Sequence, residues 1–408
     1  MEDRVLGRTV PGAQSERSDL CRVIRFGCVV LLLFLMGVLP TVSQAQRRKP
    51  TALEPTPEPA IPAVLTAFDR YDVVAMPEAH GMKDVDDFIL SLIRDPTFPK
   101  KVNDIEVECG NSLYQPVLDR YIAGEDVAFT EVRKVWRNTT QPMCGHSGFF
   151  EQFFPLVRAI NQKLPPAKRL RVLAGDPPID WNQVKTPEDG MKFLDREPSI
   201  VSVMEIEVLS KHRKALMLFG TFHLMHGVDH SAVSTYEKIY PHLTFVISDL
   251  GIYDMDRPAT SISPFASWPN PSLALTKGTW LGALNLSNIF LPPIMIDRDC
   301  KVHNDFPPEL QKPMEAFVDA FLYLGPQEFK LNEPMPADIA LDVDYMTELQ
   351  QRESLTGFPS EPAKSLKDSN QEIVKEAENP LFGAPKPPDA KDIAQGCLDL
   401  KKQSSPQQ

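Results

Sequence analysis

Four short apolar runs, each ending in an acid or a histidine, constrain this chain more than any other feature. Tyr71–Met76 is followed by Pro77-Glu78-Ala79-His80-Gly81, and Ile105–Cys109 carries Glu108 near its end. Leu170–Ala174 leads into Gly175-Asp176, and Ala215–Phe219 leads into Gly220-Thr221-Phe222-His223. Short β-branched and apolar runs read as strands. Between them the apolar residues return at helical spacing, as in Val85, Phe88, Ile89, Leu92 and Ile93. Further helices are expected from Asn111 or Ser112 to Ile122, over Thr130–Arg137, over Gly148–Leu164 and over Ile200–His212. Leu243–Ser248 and Val318–Leu324 read as two later strands. Strands alternating with helices predict an α/β fold: a three-layer sandwich with a largely parallel central sheet and helices on both faces.

In such a sheet, ligands bind beyond the carboxyl ends of the strands. If the runs are parallel neighbours, Glu78, His80, Glu108, Asp176 and His223 meet on one rim. A histidine titrates near neutrality and takes a proton from water, while a carboxylate holds its ring in the working tautomer. His80, Glu108 and His223 are also a ligand set for a divalent metal with an open position for water. No H-E-x-x-H helix and no G-x-S-x-G elbow is present, which argues against zincin and serine-hydrolase chemistry. Each of these residues has an ordinary structural reading as well. A single histidine at a strand end is usually a hydrogen-bonded or surface residue, and Asp176 before two prolines starts a turn. His226 and His230 read as loop residues. Arg137 and Arg158 lie on expected helices, where a solvated face or an acid pair is the usual role, and anion or substrate binding the functional one.

The flanks differ from this middle. Phe26–Pro40 is apolar and uncharged, preceded by Arg17, Arg22 and Arg25 and followed by Ser43-Gln44-Ala45. It is shorter than a span of about 20 residues and fits the apolar region of a signal peptide. Residues 1–45 are therefore expected to be a signal peptide cleaved after Ala45, the alternative being an uncleaved anchor and the only route to a membrane. Proline numbers 39 in 408 residues, about twice the usual share of roughly 5%. Residues 46–64 read as a Pro-rich extended linker, 65–330 as the α/β domain, 331–358 as a partly helical extension and 359–408 as a disordered tail with a short helix at 366–378. The Pro-rich stretch 251–312 reads either as a wall over the rim or as a packed irregular segment. Export makes the protein periplasmic or secreted, where Cys109, Cys144, Cys300 and Cys397 can form disulfides; three full pairings are open. The formal charge of −12 excludes a broadly basic nucleic-acid-binding surface and leaves a small-molecule substrate as the expected partner.

At these residues the chain resembles the superfamily that joins erythromycin-esterase-type hydrolases, ChaN-like haem-binding proteins and the Tiki/TraB group. The family pattern is a strand ending in Gly-Glu-x-x-His or Gly-x-x-x-His, a later strand ending in Glu, and a strand ending in Gly-x-x-His. Here Pro77-Glu78-Ala79-His80-Gly81, Val107-Glu108-Cys109 and Gly220-Thr221-Phe222-His223 look like these, with Pro77 where the family has Gly. Tyr114–Gly124 looks like the helix that follows the Glu strand. The resemblance implies a three-layer α/β fold and a rim of acids and histidines. It does not choose among activities, and three are carried as alternatives. The first is hydrolysis of an ester, lactone or amide, with His80 as base, Glu78 or Glu108 as its partner and His223 completing the site. The second is binding of haem or a similar iron compound. The third is metal-dependent peptidase activity, with His80, Glu108 and His223 as ligands.

Overall fold

A computed structural model describes residues 52–250 apart from Ala79, most of 265–356, and positions 391, 394, 395 and 398. The expected signal peptide, the first part of the expected linker and nearly all of the expected tail fall outside the described residues, as do 251–264 within the Pro-rich stretch. Among the described residues no helix is long and apolar enough to cross a membrane.

The strands are β1 (Glu58–Pro59), β2 (Val73–Pro77), β3 (Asp104–Asn111), β4 (Arg171–Asp176), β5 (Ala215–Phe219), β6 (Thr244–Asp249), β7 (Ser272–Leu275), β8 (Met295–Ile296), β9 (Val302–His303) and β10 (Ala320–Tyr323). All but β8 and β9 form one eight-stranded sheet in the order β1-β7-β10-β6-β2-β5-β3-β4. From β10 to β4 every neighbouring pair is parallel. β7 runs antiparallel between β10 and β1. The protein is therefore an α/β fold with a mixed, mostly parallel sheet.

Side chains alternate across a pleated strand, and the two hydrophobic clusters follow that alternation. Val74, Met76, Ile105 and Val107 join a cluster with the helices Lys83–Arg94, Gln115–Ala123, Phe129–Arg137 and Phe149–Asn161. Val73, Ala75, Met217 and Phe219 join the other, with the helices Glu197–Val203 and Ala232–Tyr236. Helices thus cover both faces, as expected for strands that are buried from both sides.

Two expectations are corrected and one open alternative is decided. Ala60–Ala67 is a helix where the proline count had pointed to an extended linker; Pro62 sits in its first turn, where an amide N–H is not required. The expected helix Ile200–His212 begins earlier, at Glu197. It then passes through a π-turn at Met204–Val208 and a 3-10 turn at Leu209–Lys211, and stops at His212 with φ 50°. Within the Pro-rich stretch, Ser272–Leu275 is a strand of the main sheet, and Leu273 and Ala274 are buried in the two clusters, so this part is packed structure.

Register brings the strand tips level. Val107 is opposite Leu218, and Pro77 is opposite Phe219, so Glu78, Glu108 and Gly220 follow at one height. Strand β3 also slips against β4: Val107 pairs with Ala174, but Asn111 pairs with Asp176. Irregularities of this kind re-aim side chains. Gly110 permits the slip, since a Cβ there would lie 2.7 Å from the Ala174 backbone.

Candidate functional site

Glu108 is the centre of the rim. It is 3% exposed, and both carboxylate oxygens are engaged. Oε1 accepts from Arg196 Nη1 at 2.7 Å, and Oε2 accepts from the Gly220 amide at 2.5 Å. Two histidines approach the same Oε1: Nε2 of His80 at 3.5 Å and Nε2 of His223 at 3.7 Å. Each histidine has a second carboxylate behind it. His223 Nδ1 lies 2.6 Å from Glu197 Oε1, a hydrogen-bond distance. His80 Nδ1 lies 2.7 Å from Glu78 Oε2, off the hydrogen-bonding axis. The result is two Glu–His pairs facing one buried carboxylate.

The local chain explains how these groups arrive. Glu78 and His80 sit on the turn between β2 and the helix Lys83–Arg94. Gly81, at φ 80°, adopts the left-handed conformation that glycine tolerates best. Its carbonyl accepts from the Glu333 amide at 2.7 Å, so the C-terminal extension is tied to this turn. His223 stands on the single helical turn Thr221–Leu224 directly after β5.

Arg196 joins Glu108 to Asp176. Its Nε donates to Asp176 Oδ1 at 2.5 Å, while Asp176 Oδ2 accepts from the amide and hydroxyl of Thr140 at 3.0 and 3.2 Å. Asp176 is fully buried and its oxygens are satisfied. Of the five expected rim residues, Asp176 is the one that reaches the cluster through Arg196. Arg137 and Arg158 do not face the cluster. Arg137 pairs with Glu151 at 3.1 Å and lies over the Tyr345 ring. Arg158 donates to the carbonyls of Tyr121, Gly124 and Glu125 at the end of the helix Gln115–Ala123 and lies over the Tyr121 ring. The contacts of both are made within the fold. His226 lies between Glu237 and Asp319, at 2.9 and 3.0 Å, near the opposite ends of the strands.

Charge follows from these contacts. Burial alone would raise the Glu108 carboxyl, but Arg196, His80 and His223 hold it well below the usual carboxylate range. Burial works against a charged His80, yet Glu78 and Glu108 outweigh it and hold the ring well above the usual histidine range. Both carboxylates thus favour the protonated ring. Glu197, despite burial, is lowered by His223. Asp176 is raised by its burial, with Arg196 opposing.

Sequence reasoning missed four residues. Arg196 and Glu197 open the helix Glu197–Val203; Pro198 in its first turn is the signal that would have placed the helix start there. Asp86, on the helix Lys83–Arg94, is 2% exposed and neither of its oxygens has a hydrogen-bond partner. Its carboxyl is pushed up to about 9 by burial and by Glu78, Glu333 and Asp87. Glu106 is likewise buried without a hydrogen-bond partner, and burial raises it. No sequence pattern separates these two acids from surface ones.

Cys109, next to Glu108, is bonded to Cys144, with Cα atoms 5.4 Å apart. It is therefore not available as a nucleophile. Cys300 is also disulfide-bonded. Ligand atoms of Glu78, His80 and Glu108 lie within 4.8 Å of one another, close enough to share a divalent ion. His223 is outside that set, in place of which Glu78 enters.

No family model and no curated protein matches the chain. Among solved structures it is similar to a protein from Bacillus cereus, at 11% identity over 66% of this chain and 94% of that one, with a TM-score of 0.41. It is similar to the type III effector HopBA1 at 13% identity over 50% of this chain and 90% of that one, TM-score 0.32. Bacterial protein toxins match at 15% identity over 47% of this chain and 37% of theirs, TM-score 0.30. Likenesses at these TM-scores carry no argument about function.

Proposed function

We propose that the protein is an exported hydrolase of an ester, lactone or amide, related to the erythromycin-esterase, ChaN-like and Tiki/TraB superfamily. The observation that carries this reading is the approach of two carboxylate-backed histidines to Glu108. The two rings divide the work. His223, oriented by Glu197 at Nδ1, is the base that takes a proton from water. His80, held protonated by Glu78 and Glu108, donates to the leaving oxygen or nitrogen. Such division between two groups of one residue type is how acid and base work coexist at one pH. Glu108 holds both rings, and Arg196 with Asp176 holds Glu108. Three disulfide-bonded cysteines, Cys109, Cys144 and Cys300, support export, since such bonds persist in oxidising compartments.

The test is turnover of an ester, lactone and amide panel by the wild type, H80A and H223A. A loss of about 10²–10⁴-fold in kcat in each variant supports the assignment. Unchanged turnover in either removes that residue from the mechanism.

A metal-dependent peptidase is the second reading, favoured by the mutual 4.8 Å spacing of Glu78, His80 and Glu108. A divalent ion there would polarise a carbonyl oxygen and acidify a bound water. It would require the His80 ring to be neutral, and it would share Glu108 with Arg196. Metal analysis after exhaustive dialysis separates the two: stoichiometric zinc, manganese or cobalt favours the peptidase, and a metal-free sample that still turns over favours the first reading.

A further inference from the structure

A cavity of about 540 Å³ lies at the end of the sheet opposite the Glu108 site. Its walls come from the amino ends of the parallel strands, namely Tyr71 before β2, Phe245 early in β6 and Asp319 before β10, and from β7 through Leu273 and Leu275. The helix Ala60–Ala67 closes one side with Ala63, Thr66 and Ala67. The segment Leu53–Glu58 closes another. It is fastened at both ends: Leu53 N–H donates to Gly278 O at 3.0 Å, Trp280 N–H donates to Leu53 O at 3.1 Å, and β1 pairs with β7. Between these anchors, Pro55 and Pro57 lack the N–H groups that would zip the segment onto the sheet edge.

The volume falls within the range of small-molecule pockets, about 300–1,000 Å³. Two leucines on its margin are strongly exposed, Leu53 at 69% and Leu275 at 59%. The charges there are unevenly committed. Glu54 accepts from the Trp280 indole at 2.8 Å, and Asp319 is held by His226 and by the Val246 amide. Glu58 is exposed at the segment's end. Arg70 and Lys277 line the cavity with no carboxylate partner among the described residues.

We propose that this cavity is a second binding site, for a small apolar molecule bearing one carboxylate. The apolar body lies against Tyr71, Phe245, Leu273 and Leu275, and the carboxylate meets Arg70 and Lys277. The site is independent of the hydrolytic reading, since no residue is shared with the Glu108 cluster.

The experiment uses displacement of anilinonaphthalene sulfonate from the full chain by decanoate and, separately, by decanol. Saturable displacement in which decanoate outcompetes decanol is expected. The exposed pair R70E/K277E should weaken decanoate by about tenfold and leave decanol unchanged. Filling the cavity with A63W should abolish displacement by both. Absence of saturable displacement, equal potency of the two competitors, or wild-type decanoate affinity in R70E/K277E overturns the proposal. So does wild-type affinity in A63W at an unchanged thermal midpoint; should A63W not fold, the charge pair decides alone.

Discussion

Arg196 Nη1 donates to Glu108 Oε1 at 2.7 Å across 88 residues of chain, with both side chains almost wholly removed from water. A buried ion pair adds little to stability compared with a hydrophobic replacement of both partners, but loss of one partner leaves the other charge uncompensated. R196M should therefore destabilise the protein by about 3–5 kcal/mol in urea unfolding. Restoring much of that loss by adding E108Q and D176N would show that the uncompensated acids are the cause; a triple variant no more stable than R196M would contradict it.

Asp86 makes stability fall as pH rises. Its folded carboxyl titrates at about 9, well above the roughly 3.9 of an unfolded aspartate. Between those values the native state binds a proton that the unfolded state has lost. The slope of unfolding free energy with pH is then negative, approaching about 1.4 kcal/mol per pH unit for one proton. D86N should remove this component from about pH 4 to 9. Unfolding curves for both proteins at four pH values decide the matter; parallel pH dependences would rule out a buried neutral Asp86.

Glu197 orients His223 without contacting a reacting group in the proposed mechanism. E197Q should lower kcat by about 10–100-fold, the usual scale for loss of an orienting partner, with KM little changed. It should also move the acidic limb of the kcat/KM pH profile, where a general base is lost to protonation, whereas a purely structural loss would lower the whole profile uniformly.

The Cys109–Cys144 bond closes a loop between β3 and the helical turn Pro142–Gly145, beside Glu108. Removing it in C109S/C144S should cost about 2–4 kcal/mol. Thermal unfolding at fixed pH measures the cost, and a shift within error would mean that packing alone holds this junction.

The strand tips could be read before any coordinates because they are local. Apolar runs and their terminal acids or histidines lie within a few residues of each other, and parallel pairing then has to bring equivalent tips to one edge. Glu78, His80, Glu108 and His223 were recoverable for that reason. For Arg137 and Arg158 the choice between a structural and a binding role stayed open, because a helical position does not say which carboxylate or carbonyl will be near it. Arg137 finds Glu151, and Arg158 finds a helix end.

What the amino-acid sequence determined by itself is therefore the α/β layering and the four tip residues, since both follow from short-range periodicity. Tertiary structure alone decided that Arg196 neutralises Glu108 and Asp176, that Glu197 backs His223, that Cys109 chooses Cys144, and that Asp86 is buried without a hydrogen-bond partner. These are choices among partners far apart in the chain. They are made when packing removes the groups from water, and that removal is what turns an ordinary charged residue into one whose partner matters.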